Sequence, residues 1–121
     1  MGWIGVDLDG TLAEYRPGQG SRIGKPIKAM VNRINNWVSE GQEVRIFTAR
    51  AATRYGASEV VSWLEDHNLP ALTVTNAKDS ELTQIWDDKA IRVTKNTGKV
   101  CSGCGKGHSL TSECDDIFTD C

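Results

Sequence analysis

Apolar residues along this chain fall into short runs and one long stripe, separated by polar, glycine-rich breaks. Trp3-Ile4-Gly5-Val6, continued by Leu8, is an unbroken apolar run of the kind that makes a short buried strand. The pattern stops over 14–24, where Pro17, Gly18, Gly20 and Gly24 mark a loop or flap. Ile27, Met30, Val31, Ile34, Trp37 and Val38 then recur at three- and four-residue steps, which predicts a helix over 26–40 with one apolar face. Pro26 suits its first turn, and Gly41 suits the left-handed position beyond its end.

Residues 44–48 (Val-Arg-Ile-Phe-Thr) predict a second strand, and the polar stretch 50–55 a loop. A second helix is expected over 57–67, with Ala57, Val60, Val61 and Leu64 inward and Asn68 and Pro70 as its stop. Further strands are expected over 72–75, 82–86 and 90–94. Asn96-Thr97-Gly98 reads as a turn that returns Lys99-Val100 as a hairpin arm. Strand, helix, strand, helix, strand is the order of an α/β chain with a mostly parallel sheet covered by helices. Right-handed crossovers set the first three strand ends on one edge, where such sheets bind ligands. The stretch from the third strand to Asp87 is short for a crossover helix, so a single turn or an irregular loop should make that connection.

A length of 121 residues suits one core, and 39% apolar with 25% charged residues is the balance of a soluble globular protein. A net charge of −2 gives no overall push toward nucleic acid or membrane. Basic residues do gather in the first half: Arg16, Arg22, Lys25, Lys28, Arg33, Arg45, Arg50 and Arg54. No apolar stretch is long enough to span a bilayer and no signal-peptide pattern opens the chain, so the expected compartment is the cytoplasm. Met1-Gly2 is not read as a myristoylation site, because Val6 stands where that motif takes Ser or Thr.

Composition breaks at Cys101, which predicts a catalytic domain over 1–100 and a Cys-rich tail over 101–121. All four cysteines lie in that tail. Cys101 and Cys104 have the spacing of a zinc knuckle, and His108, Cys114 and Cys121 offer further ligands for a small structural Zn²⁺ site. The alternative is an acidic tail with free thiols.

Four segments carry the chemistry, each at or just past an apolar run: Asp7-Leu8-Asp9-Gly10-Thr11, Phe47-Thr48-Ala49-Arg50, Lys78, and Asp87-Asp88. A carboxylate needs no base to become a nucleophile, and attack on phosphorus splits hydrolysis into two easier steps. It can approach a phosphate only if cations offset the repulsion, and Mg²⁺ held by carboxylates does so. Asp9, two residues beyond Asp7 on extended backbone, points to the same side and suits proton transfer to the leaving oxygen. Gly10 allows a sharp turn, Thr11 offers a hydroxyl and an N–H, and Thr48 can donate to a phosphate oxygen. Arg50 reads equally as a bidentate phosphate clamp or a solvated charge. Lys78 can neutralise nucleophile and phosphate, while Asp87 and Asp88 complete a metal seat with Asp7.

In this order the segments resemble the four motifs of the haloacid dehalogenase (HAD) superfamily of phosphohydrolases, over roughly residues 3 to 94. The phrase Ile85-Trp86-Asp87-Asp88-Lys89-Ala90, followed by Asn96-Thr97-Gly98, is similar to small capless members from phages and bacteria. The resemblance implies a three-layer Rossmann-like core and a Mg²⁺-dependent phosphatase working through an aspartyl-phosphate. It makes Asp7 nucleophile and metal ligand, and Asp9 the acid/base with its carbonyl on the metal. It assigns phosphate binding to Thr48 and Lys78, with Thr11, Ala49 and Arg50 beside them. Asp87 ligates the metal and Asp88 supports it, either of the two being the direct ligand.

Two departures stand out: no cap domain is inserted, and the Lys78–Asp87 connection is short. An open site suits a large phosphorylated substrate, or a small one covered by a second copy of the chain. The basic first half also allows a nucleic-acid end phosphatase or a nucleotidase. A phospho-receiver is disfavoured, because its acidic pair precedes its phosphorylated Asp. A non-catalytic binding module is the remaining alternative.

Overall fold

The computed structural model describes residues 2–101 of the chain. The described residues divide into two units, the first ending at Asp88 and the second beginning at Lys89. Among the described residues the first contains every regular element: β1 (Trp3–Val6), α1 (Lys28–Ser39), β2 (Glu43–Phe47), a short 3₁₀ turn (Ala49–Ala52), α2 (Arg54–Asp66), β3 (Thr73–Thr75) and β4 (Leu82–Trp86).

The four strands form one sheet in the order β3-β2-β1-β4, with every pairing parallel. The expected α/β parallel sheet is therefore present, and β1 lies inside it. Thr83 is an extra residue opposite the Trp3–Ile4 step, and its hydroxyl donates to the Trp3 carbonyl at 3.1 Å. The β3–β4 connection is an irregular loop, as the short spacing required.

Alternation along the strands divides the side chains between two faces. Ile4, Val6, Val44 and Ile46 pack in one core with Met30 and Ile34 of α1 and Val60, Trp63 and Leu64 of α2. Both helices thus cover the same face, as consecutive right-handed crossovers moving in one direction require. The opposite face is finished differently. Trp3 is fully buried there, with the Arg45 guanidinium 4.4 Å from its ring centre and Phe47 edge-on at 6.4 Å. Its indole N–H donates to Asp79 at 2.8 Å. Among the described residues no helix covers this face, so the third layer of the expected sandwich is not found there.

Helix α1 starts later than expected. Pro26 precedes the N-cap Ile27, and Gly41 follows the C-cap with a φ of 86°, the left-handed turn read from the sequence. Helix α2 starts earlier, at Arg54, because the Thr53 hydroxyl accepts the Gly56 N–H and caps it. The expected loop over 50–55 is therefore a 3₁₀ turn leading into a helix. Trp63 is inward and Val61 is 42% exposed, which corrects the expected inner face.

In the second unit, residues 90–94 do not form the expected strand. An isolated antiparallel bridge joins Val93 to Val100 around a turn in which Asn96 and Gly98 both have positive φ. The turn and returning arm are there without a fifth strand.

Candidate functional site

Parallel strands send their carboxyl ends to one edge, and the sequence places an acidic or hydroxylic residue after three of them. Asp7 follows β1, Thr48 follows β2, and Asp87-Asp88 follow β4. The Asp7 N–H extends the β1–β4 ladder by donating to the Trp86 carbonyl at 2.8 Å, which fixes the nucleophile candidate beside the acidic pair.

After Asp7 the chain coils tightly. The N–H groups of Thr11, Leu12 and Ala13 all point at the Leu8 carbonyl, and Gly10 N–H reaches Ala13 O at 2.8 Å. Gly10 has a φ of 92°, and a Cβ there would lie 2.7 Å from Asp88 Oδ2. Only glycine meets both conditions, a left-handed backbone and a carboxylate against the α-carbon. The coil places Thr11 Oγ1 3.3 Å from Asp7 Oδ2 and 3.1 Å from Asp88 Oδ1, while it accepts the Asp88 N–H at 3.0 Å.

Carboxylate oxygens of Asp7, Asp87 and Asp88 lie within 4.8 Å of one another. Three anionic oxygen donors at that spacing can hold a metal ion, and an all-oxygen set favours a hard cation. The electrostatics agree. Burial pushes the Asp7 carboxyl up, and the Asp87 charge, a hydrogen bond with Asp88 and the Asp88 charge push it further, to about 7; the Thr11 hydroxyl opposes them.

The Asp9 side chain leaves the acidic group for Arg50. Arg50 Nε donates to Asp9 Oδ2 at 2.8 Å and Nη2 to Oδ1 at 2.9 Å, a bidentate pair. Its Nη1 donates to the Ser21 carbonyl at 2.6 Å, and Nη2 is 3.5 Å from that of Arg22. Arg50 thus links the acid/base candidate to the 14–25 loop, and its fork points at Asp9. This pairing joins residues 41 apart, and no local spacing announces it.

Thr48 is buried, and its hydroxyl accepts the Arg50 N–H at 3.1 Å, which leaves its own proton free to donate. Ala49 is exposed at the start of the 3₁₀ turn. Lys78 is exposed in the β3–β4 loop and forms no ion pair among the described residues. Its neighbour Asp79 anchors the loop by accepting the Trp3 indole N–H and the Glu81 N–H at 2.9 Å. The structure therefore brings together Asp7, Thr11, Asp87 and Asp88, and pairs Asp9 with Arg50, whose backbone N–H reaches Thr48. Of the zinc candidates, Cys101 is buried, and Cys104, His108, Cys114 and Cys121 lie outside the described residues.

Among the described residues no helix is long and apolar enough to cross a membrane. No protein-family model and no curated protein matches this chain. The structure is similar to that of a conserved protein from Bacteroides thetaiotaomicron, with a TM-score of 0.58 and 21% identity over 74% of this chain and 77% of that one, a likeness of fold alone.

Proposed function

We propose that this chain is a Mg²⁺-dependent phosphomonoesterase with a Rossmann-like core of the HAD type, passing the phosphoryl group through Asp7. The observation that carries the reading is the meeting of Asp7, Asp87 and Asp88 at the carboxyl edge of a parallel sheet. Asp9 stands beside them on the same coil.

A Mg²⁺ ion held by these carboxylates would neutralise them and draw charge from a phosphate oxygen. The Asp7 carboxylate attacks phosphorus, the ester bond breaks, and Asp9 gives a proton to the departing oxygen. Water then gives a proton to Asp9 and attacks the aspartyl-phosphate, freeing inorganic phosphate and restoring Asp7. The Thr48 hydroxyl and Lys78 serve the phosphate oxygens. Arg50 holds the plane of the Asp9 carboxylate, which limits where that proton can go.

The test is phosphate release from p-nitrophenyl phosphate, with Mg²⁺ and with EDTA, for the wild type and Asp7→Asn. Metal-dependent turnover that disappears in the variant is the expected result. Turnover indifferent to Asp7 overturns the reading.

A further inference from the structure

The loop over 14–25 is unevenly charged: Arg16, Arg22 and Lys25 stand against Glu14. Glu14 pairs with Arg16 at 3.4 Å, so the loop's only carboxylate is already engaged. Among the described residues Arg22 and Lys25 form no ion pair. Both line a cavity of about 370 Å³ whose other walls are Gln19, Ile23, Gly24 and His67. Among the described residues no acidic side chain lines it.

The cavity is built into the fold. The Trp63 indole N–H donates to the Gly24 carbonyl at 2.9 Å, which ties the loop to α2. The His67 ring packs on Trp63 with centres 4.8 Å apart, so its position follows from the buried indole. Gln19 braces the loop from within, accepting the Arg16 N–H at 3.0 Å and donating to the Arg22 carbonyl. Two cations with no ion-pair partner among the described residues, an imidazole and a carboxamide around one concavity attract an oxyanion, and a cavity of this size admits a phosphate with part of its ester.

Arg22 connects this cavity to the acidic site: it lines the cavity, and its carbonyl faces the guanidinium that holds Asp9. Arg22 and Arg50 stand between the two places. A chain with repeated phosphates can reach across. We infer that the cavity binds a backbone phosphate of a single-stranded oligonucleotide whose terminal phosphate lies at Asp7. This rests on the phosphatase reading for the terminal phosphate, but the cavity's affinity for the strand is measurable without turnover.

The probe is a terminally phosphorylated oligothymidylate carrying a fluorophore at its far end, bound to Asp7→Asn so that it is not consumed. Anisotropy is followed across a range of salt concentrations. Arg22→Ala/Lys25→Ala should weaken binding about tenfold or more and make the slope of log affinity against log salt shallower by about 0.7, the share of one phosphate contact on a single strand. Arg22→Glu/Lys25→Glu should weaken it further, and circular dichroism confirms that both variants fold. Affinity and slope unchanged in the folded variants overturn the inference. Displacement of the strand by tripolyphosphate at equal phosphate concentration overturns the strand as ligand, in favour of a small polyphosphate. Tight, salt-sensitive binding by a wild type that hydrolyses no phosphomonoester supports the cavity and refutes the phosphatase reading alone.

Discussion

Asp7→Asn should make the metal-free protein more stable at alkaline pH while removing its nucleophile. The Asp7 carboxyl ionises at about 7 in the folded chain against 3.8 ordinarily. Below the lower value both folded and unfolded chains hold the proton, and the carboxyl contributes nothing to the pH dependence. Between the two values the unfolded chain releases its proton first, so stability falls as pH rises; above about 7 the loss is complete and levels off. At 1.36 kcal/mol for each tenfold in proton affinity the loss is at most about 4 kcal/mol. Asp7 is half-buried, and solvent screening brings the expected figure to about 2 kcal/mol. The substituted carboxamide cannot ionise and can donate to Asp88, so the variant escapes that loss. Urea or thermal unfolding in EDTA at about pH 5 and about pH 8 reads the difference. The variant should gain about 2 kcal/mol over wild type at the higher pH, roughly 8 °C in Tm for a domain of this size, and less than half of that at the lower. Mg²⁺ should then stabilise the wild type more than the variant, because binding to the folded state alone raises stability by mass action. A variant equal to or weaker than wild type at about pH 8 without metal would refute the crowding of charge at Asp7.

Other consequences follow from neighbouring contacts. Arg50→Gln releases Asp9 and the Ser21 carbonyl together, and should lower kcat for p-nitrophenyl phosphate by about 10- to 100-fold with an altered pH–rate profile. Arg50→Lys, which keeps the charge but not the fork, should recover little of that loss. Gly10→Ala forces a methyl against the Asp88 carboxylate on left-handed backbone, and should cost about 1–3 kcal/mol in urea unfolding and weaken Mg²⁺ binding in calorimetric titration. Thr53→Ala removes the cap of α2 and should cost about 1 kcal/mol with Mg²⁺ affinity unchanged.

Local pattern is enough for the elements that build the sheet. The segments Trp3–Val6 and Leu82–Trp86 are strands, and the stripe from Met30 to Val38 lies on α1. The helix start at Arg54 is hidden from periodicity because Arg54 and Tyr55 are polar or exposed and the signal lies in Thr53, one residue before them. Trp63 suits either core or surface by pattern alone; its indole N–H is satisfied by a loop carbonyl 39 residues away, a partner only the fold supplies. Ile91 and Val93 alternate as a strand would, yet they are 72% and 51% exposed, and β-branched residues need a paired surface before their preference counts. At the site, the acidic positions are legible because strand ends converge. The Asp9–Arg50 bond is not, because a side-chain fork's choice between ligand and protein depends on distances that spacing does not encode.

The sheet order also bears on the route by which this chain folds. β1 can pair with β2 as soon as α1 closes the crossover, but its other edge waits for β4, where Trp3 meets Leu82 across most of the first unit. That late, long-range closure carries the larger loop entropy. It is also the step that first sets Asp87 and Asp88 against Asp7, so electrostatic repulsion is concentrated in the final docking of one edge strand. A divalent cation would then act as a folding partner for that strand, and its removal would loosen the β4 edge before the helix-covered core.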